Sequence, residues 1–165
     1  MTPPPKASVL TIHIDGAARG NPGPSGIGVV FFDRKGKIIK EVSLSLGEST
    51  NNVAEYAALL IALQEALKRN VRDVHVFSDS ELLVRQVSGD YKVKDTQLKW
   101  LHLFVQNLIA GCTQFELTYI PREKNKKADR LANQAVTEAL RRQARPAKKV
   151  ANSPPSVTVR QSTFW

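Results

Sequence analysis

A change of hydrophobic period near residue 50 constrains the fold more than any other feature of this chain. Before it, three stretches rich in branched and aromatic residues read as strands: "SVLTIHID" (Ser8 to Asp15), "IGVVFF" (Ile27 to Phe32) and "KIIKEVSLSLG". In the third, Val42, Leu44 and Leu46 alternate with polar residues, the period of a half-buried strand. "GAARGNPGPSG" between the first two carries glycines and prolines that predict a loop, so the first strand is expected to end at Asp15. "DRKG" predicts a tight turn before the third, and the three together make an antiparallel meander.

After it, apolar residues recur at helical spacing over residues 52–69, 80–87, 95–110 and from Asn125 to about Arg142. Two short apolar strands interrupt the helices, Arg72 to Asp79 and Phe115 to Ile120, and Pro121 marks the break before the last helix. Strands joined through helices lie parallel, because such a crossover needs that length of chain. The expected fold class is therefore α/β: a five-stranded mixed sheet, three antiparallel strands then two parallel, flanked by helices.

At 165 residues and 42% hydrophobic, the chain suits one ordinary domain. Residues 8–142 are assigned to it, with a Pro-rich leader at 1–7 and a basic linker and tail at 143–165. No stretch approaches the roughly 18 consecutive apolar residues of a membrane span, and "MTPPPKASVL" lacks a signal-peptide layout. A cytoplasmic protein is expected, and a monomer. The single Cys112 excludes an internal disulfide and a thiolate metal cluster, leaving a core-filling role. Of the net charge of +9, +6 falls on residues 141–165, which carry no acid. The basic excess is mainly a property of the tail, which could grip an anionic polymer, meet a protein partner or pack on the domain.

Four acids stand at the ends of the predicted elements. Asp15 closes the first strand and Asp79 the fourth; if those strands are parallel neighbours, both acids lie at the carboxyl edge of the sheet, where open α/β folds bind ligands. Glu55, near the head of the first long helix, projects on the same side as Leu59, Ala62 and Ala66 at about 100° per residue, so a carboxylate faces a buried surface. Asp129 flanks the apolar face Ala128, Leu131, Ala132 and Ala135. Each has a plain explanation: Asn52-x-x-Glu55 and Ser78-x-x-Glu81 resemble capping boxes, Asp79 could itself be a cap, and Asp129 could complement a helix dipole. Taken together, four clustered acids would repel one another and need cations. Oxygen donors alone point to magnesium or manganese. Two such ions about 3.5 to 4 Å apart carry out in-line displacement at phosphorus.

"IDGAARGNPGPSGIG", "TNNVAEYAAL", "FSDSELLVRQV" and "IPREKNKKADRLANQA" resemble, in order, the four motifs of ribonuclease H, type 1 branch, from about Val9 to Leu140. The resemblance implies the five-stranded mixed sheet and an endonuclease that hydrolyses the RNA strand of RNA/DNA hybrids, leaving 5′-phosphate and 3′-hydroxyl ends. By motif, Asp15, Glu55, Asp79 and Asp129 match the catalytic carboxylates that hold two divalent ions, with Asp15 bridging both. Gly16 and Asn21 in the glycine-rich stretch, Thr50, Asn51 and Asn52 before the helix, and Ser80 match positions that contact the hybrid. Short amides and bare backbone can approach the 2′-hydroxyls that distinguish RNA from DNA.

Three departures from the family pattern stand out. Many members carry a His before the last helix; here the loop is "PREKNKK", and Glu123 is its nearest ionisable substitute, with an exposed loop acid as the alternative. The segment between Asp79 and Asp129 is too short for the basic protrusion of some members, leaving Tyr91, Lys92, Lys94, Lys99 and Trp100 as a reduced surface for the DNA strand. Glu81 stands where relatives often have Gln. His13, His75 and His102 are expected in core or surface roles, and no N-terminal hybrid-binding domain is expected. Two rivals remain: a resolvase- or integrase-like nuclease of the same fold, and an inert hybrid-binding module.

Overall fold

The computed structural model describes residues 9–144; the Pro-rich leader and the tail from residue 145 lie outside them. Strands β1 (Val9–Ala18), β2 (Gly23–Phe32) and β3 (Ile38–Ser49) are followed by α1 (Asn51–Lys68), β4 (Asp73–Ser78), α2 (Glu81–Ser88), α3 (Thr96–Ile109), β5 (Gln114–Tyr119), a 3₁₀ turn at Arg122–Lys124 and α4 (Lys126–Gln143). The strands form one sheet in the order β3-β2-β1-β4-β5, antiparallel through β1 and parallel beyond it. The mixed sheet expected from the period change is the one observed.

Strand alternation sorts the core onto two faces. Leu10, Ile12, Ile14, Ile27, Val29, Phe31, Val74 and Val76 point to one side, where they join Leu59 and Leu63 of α1 and, behind them, Val105 of α3. Each such buried side chain contributes on the order of 1.5–3 kcal/mol. On the other side Val30 meets Ala128 and Leu131 of α4. That helix lies unusually close: a Cβ on Gly28 would collide with the Ala128 carbonyl, and one on Gly26 would strike the Ala135 side chain. The small residues of "ADRLANQA" and the glycines of β2 thus let α4 sit on the sheet backbone, and Asp129 comes with it.

Two expectations need correction. The first strand does not end at Asp15, nor does the second begin at Ile27; β1 and β2 run through the glycine-rich stretch, pairing Asp15 with Gly28, Ala17 with Gly26 and Ala18 with Ser25. Only residues 19–22 make the turn, closed by the Arg19 N–H donating to the Pro24 carbonyl at 2.9 Å. Glycine weakens a strand when nothing packs on it, but here helices on both faces require its bare backbone. Neither predicted capping box forms. Thr50, two residues ahead of Asn52, caps α1 by accepting from the Val53 N–H, and Ser80, neither Ser78 nor Asp79, caps α2 by accepting from the Leu83 N–H. Glu55 and Asp79 are therefore free of any capping duty.

No helix of the described residues is long and apolar enough to cross a membrane. Cys112 is partly buried beside the main core, as expected of a filling residue.

Candidate active site

Three elements deliver three acids to one point. β1 and β4 pair in parallel with Ile14 opposite Ser78, so the next residues, Asp15 and Asp79, leave the pairing side by side. Glu55 arrives from α1, one turn inside its Thr50 cap. What brings it close is Gly16: any Cβ there would collide with the backbone at Ala54 and Glu55, so α1 rests directly on the strand beside Asp15. One carboxylate oxygen from each of Asp15, Glu55 and Asp79 falls within 4.8 Å of the others.

Asp15 and Glu55 are each only 5% exposed, and Glu55 Oε2 is buried with no hydrogen-bond partner. A buried, unpaired carboxylate oxygen is a costly feature unless a cation or proton completes it. Burial first, then the charges of Asp79 and Asp129, push the Asp15 carboxyl up to about 8. Burial, followed by Asp15 and Asp79, raises Glu55 well above the usual carboxylate range. The group can hold a metal ion: its donors are all hard oxygens, two of them favour a bound positive charge, and one has nothing else to bind.

Asp129 lines the same cleft but stands outside that triad. Its Oδ1 accepts from Arg122 Nη2 at 2.7 Å, and Asn133 Nδ2 donates to its backbone carbonyl at 2.9 Å. The cleft encloses about 450 Å³ between the carboxyl ends of β1 and β4 and the heads of α1 and α4. Of the residues matched to hybrid contacts, Gly16, Asn51 and Ser80 line it. Thr50 and Asn52 sit beside Asn51 at the start of α1, and Asn21 is exposed in the β1–β2 turn, away from the cleft lining.

Glu123 is exposed in the 3₁₀ turn, outside the cleft lining, and its neighbour Arg122 lines the cleft. Tyr91, Lys92, Lys94, Lys99 and Trp100 are all exposed, with the Arg85 guanidinium 5.8 Å from the Tyr91 ring centroid. Glu81 lies in the first turn of α2, 3.5 Å from Arg85. No histidine lines the cleft: His13 lies between Phe32 and Phe77, His75 beside Asp73, and His102 against Tyr56. Tyr119, Arg122, Asn125 and Asn133 escaped sequence reasoning. Only Asn125 left a signal there, as a favoured capping residue just ahead of a helix.

Comparison with known proteins places this geometry in a lineage. A family model described as reverse transcriptase-like matches residues 13–135. Ribonuclease HI of Halobacterium salinarum is 35% identical over 136 residues, covering 82% of this chain and 68% of that protein. A bifunctional protein of Mycobacterium tuberculosis is 39% identical over 151 residues, and the chain spans only 42% of its length. Among solved structures, the RNase H1 of Halobacterium salinarum superposes with a TM-score of 0.76 over 79% of this chain and 98% of its own, at 35% identity. LC11-RNase H1, solved in complex with an RNA/DNA hybrid, superposes with a TM-score of 0.74 at 45% identity, covering 79% of this chain and 99% of that one. Likeness at that identity, over nearly the whole of those structures, goes beyond a shared fold, and this chain belongs to the type 1 ribonuclease H family.

Proposed function

We propose that the chain is an endoribonuclease that hydrolyses the RNA strand of RNA/DNA hybrids, leaving 5′-phosphate and 3′-hydroxyl ends. The observation that carries the reading is the cluster of Asp15 and Glu55, both buried, with the half-buried Asp79, and the orphaned Glu55 oxygen within it. A relative of 45% identity solved with such a hybrid supports the substrate class. Asp15, Glu55 and Asp79 are the proposed ligands of divalent ions, Mg²⁺ or Mn²⁺, with Asp129 completing the set from the α4 side. Bound there, such ions would supply Lewis-acid charge for in-line displacement at phosphorus.

The rest is done by the chain itself. Burial of Asp15 and Glu55 lowers the local dielectric and strengthens their hold on a cation. Gly16 and Asn51 offer bare backbone and a short amide at the cleft wall, suited to a sugar edge carrying a 2′-hydroxyl. Among the described residues Arg122 is the only cation lining the cleft, and its planar fork suits a phosphate oxygen. Thr50, Asn52, Ser80 and Asn21 extend the hybrid-reading surface. Tyr91 and Trp100, with Lys92, Lys94 and Lys99, offer a second, more distant contact for the DNA strand. Residues 8–142 act as the catalytic unit, as a monomer in the cytoplasm, with the basic tail adding salt-dependent grip on nucleic acid or a protein contact.

The test is incubation with hybrid, duplex RNA and duplex DNA, each with Mg²⁺, Mn²⁺ or chelator, beside Asp79→Asn. Cleavage of the RNA strand of the hybrid that stops with chelator and with the variant is expected. Metal-independent cutting, or cutting of duplex DNA in preference to hybrid, would overturn the reading.

A further inference from the structure

Asn125 occupies the N-cap position of α4, a place where an Asn side chain normally accepts from the helix N–H groups. Here it makes no capping bond. The amide is turned into the sheet, where Nδ2 donates to the Ile14 carbonyl at 2.8 Å and to Asp79 Oδ1 at 2.9 Å. Because the Ile14 carbonyl can only accept, it fixes which end of the amide faces Asp79, and Asp79 must be the acceptor. Asn125 is 1% exposed, and its own Oδ1 is buried with no hydrogen bond of good geometry, although the His13 ring is near enough to interact with the amide.

A residue suited to capping thus leaves helix N–H groups without its help and buries an unsatisfied oxygen, each at some expense in stability. Local rules of this kind are broken where function requires it. What the chain gains is a single side chain that joins the head of α4, which carries Asp129, to the β1 backbone one residue before Asp15 and to Asp79 just beyond β4.

We infer that Asn125 is a positioning residue for the metal site: its amide occupies one oxygen of Asp79 and holds that carboxylate in the orientation that offers the other to a divalent ion. The inference rests on the metal-dependent reading above and names a residue that acts through Asp79, without touching the reacting atoms. Groups that orient metal ligands typically change metal affinity by about 10- to 100-fold when removed.

The experiment is calorimetric titration of Mn²⁺ and Mg²⁺ into the free protein, comparing the parent with Asn125→Ala and Asn125→Ser. Serine suits a helix cap, so the second variant keeps α4 started and the chain folded while losing the reach to Asp79. Metal affinity is expected to fall by about 10- to 100-fold in both, with hybrid turnover recovering towards the parent as metal is raised. A purely structural role would lower the melting temperature and leave the metal affinity alone. Either folded variant binding Mn²⁺ as tightly as the parent would overturn the inference. A parent that binds neither ion would instead overturn the metal-dependent reading, so the two failures are distinguishable.

Discussion

Two acids of the same cleft live in opposite circumstances. Glu55 is buried among like charges with an oxygen that touches no donor, whereas Asp129, at the lip, is already satisfied by Arg122 at 2.7 Å. The first is a group whose surroundings demand a cation; the second has one on loan from the protein. The four motif acids are therefore not equivalent in their surroundings. Asp15, Glu55 and Asp79 are preassembled and repelling, and Asp129 is parked in a surface pair whose arginine side chain is 73% exposed.

The contrast is broken most severely by removing charge from the triad. Asp15→Asn and Asp79→Asn are each expected to lower hybrid turnover by about 10²–10³-fold or more, since preorganised charge is commonly the largest catalytic term. Steady-state cleavage at saturating metal checks this, and turnover within tenfold of the parent would show that the triad is not the chemical centre. Glu55→Gln removes the repelling charge and should stabilise the ion-free protein at alkaline pH by about 1–3 kcal/mol while abolishing metal affinity. Denaturant unfolding in chelator at pH 9 is the measurement, and a destabilised variant would contradict the account.

The same groups predict a pH dependence of stability. Asp15 is raised from 3.8 to about 8, and Glu55 is raised as well, so the folded chain binds protons that the unfolded chain releases. Stability from these sites is therefore complete below the ordinary carboxylate range and is lost as pH rises through about 8. In chelator the protein should melt at a higher temperature at pH 6 than at pH 9, and saturating Mg²⁺ should remove most of that difference. Equal melting temperatures in chelator would count against a repelling triad.

The lip should respond far less. Arg122→Ala is expected to change stability by only about 0–1 kcal/mol, as exposed ion pairs do, while weakening hybrid binding. A larger loss of stability with unchanged binding would make Arg122 a structural residue. Glu123→Gln, one residue on and outside the cleft lining, should leave turnover under excess hybrid within twofold of the parent if Glu123 is an exposed loop acid, and a larger fall would assign it part of the role of the missing loop His.

How far the sequence reached follows from which forces were local. Alternation in β3 and helical spacing in α1 and α4 come from burial within a single element, and they gave the sheet order's essential split into antiparallel and parallel halves. The extension of β1 and β2 through the glycine-rich stretch was hidden because those glycines answer to α1 and α4, elements far away in the chain. The exact cap of α1 was missed by two residues because Thr50, Asn51 and Asn52 are all good caps by type. Glu55 was legible as a charge on an apolar helix face, and Asp15 and Asp79 as acids closing two strands expected to be parallel neighbours. Arg122 and Asn125 were not, since an exposed arginine and a helix-start asparagine look ordinary until Asn125 is seen to meet Ile14 across 111 residues of chain.

If the cluster holds a divalent ion as proposed, the ion should displace protons that Asp15 and Glu55 retain. Calorimetric titration of Mn²⁺ at pH 7 in buffers of differing ionisation enthalpy tests it directly, because the apparent heat then reports the protons released. Net proton release on binding, lost in Glu55→Gln, is the predicted result. Binding without proton release, or no binding at all, would contradict it.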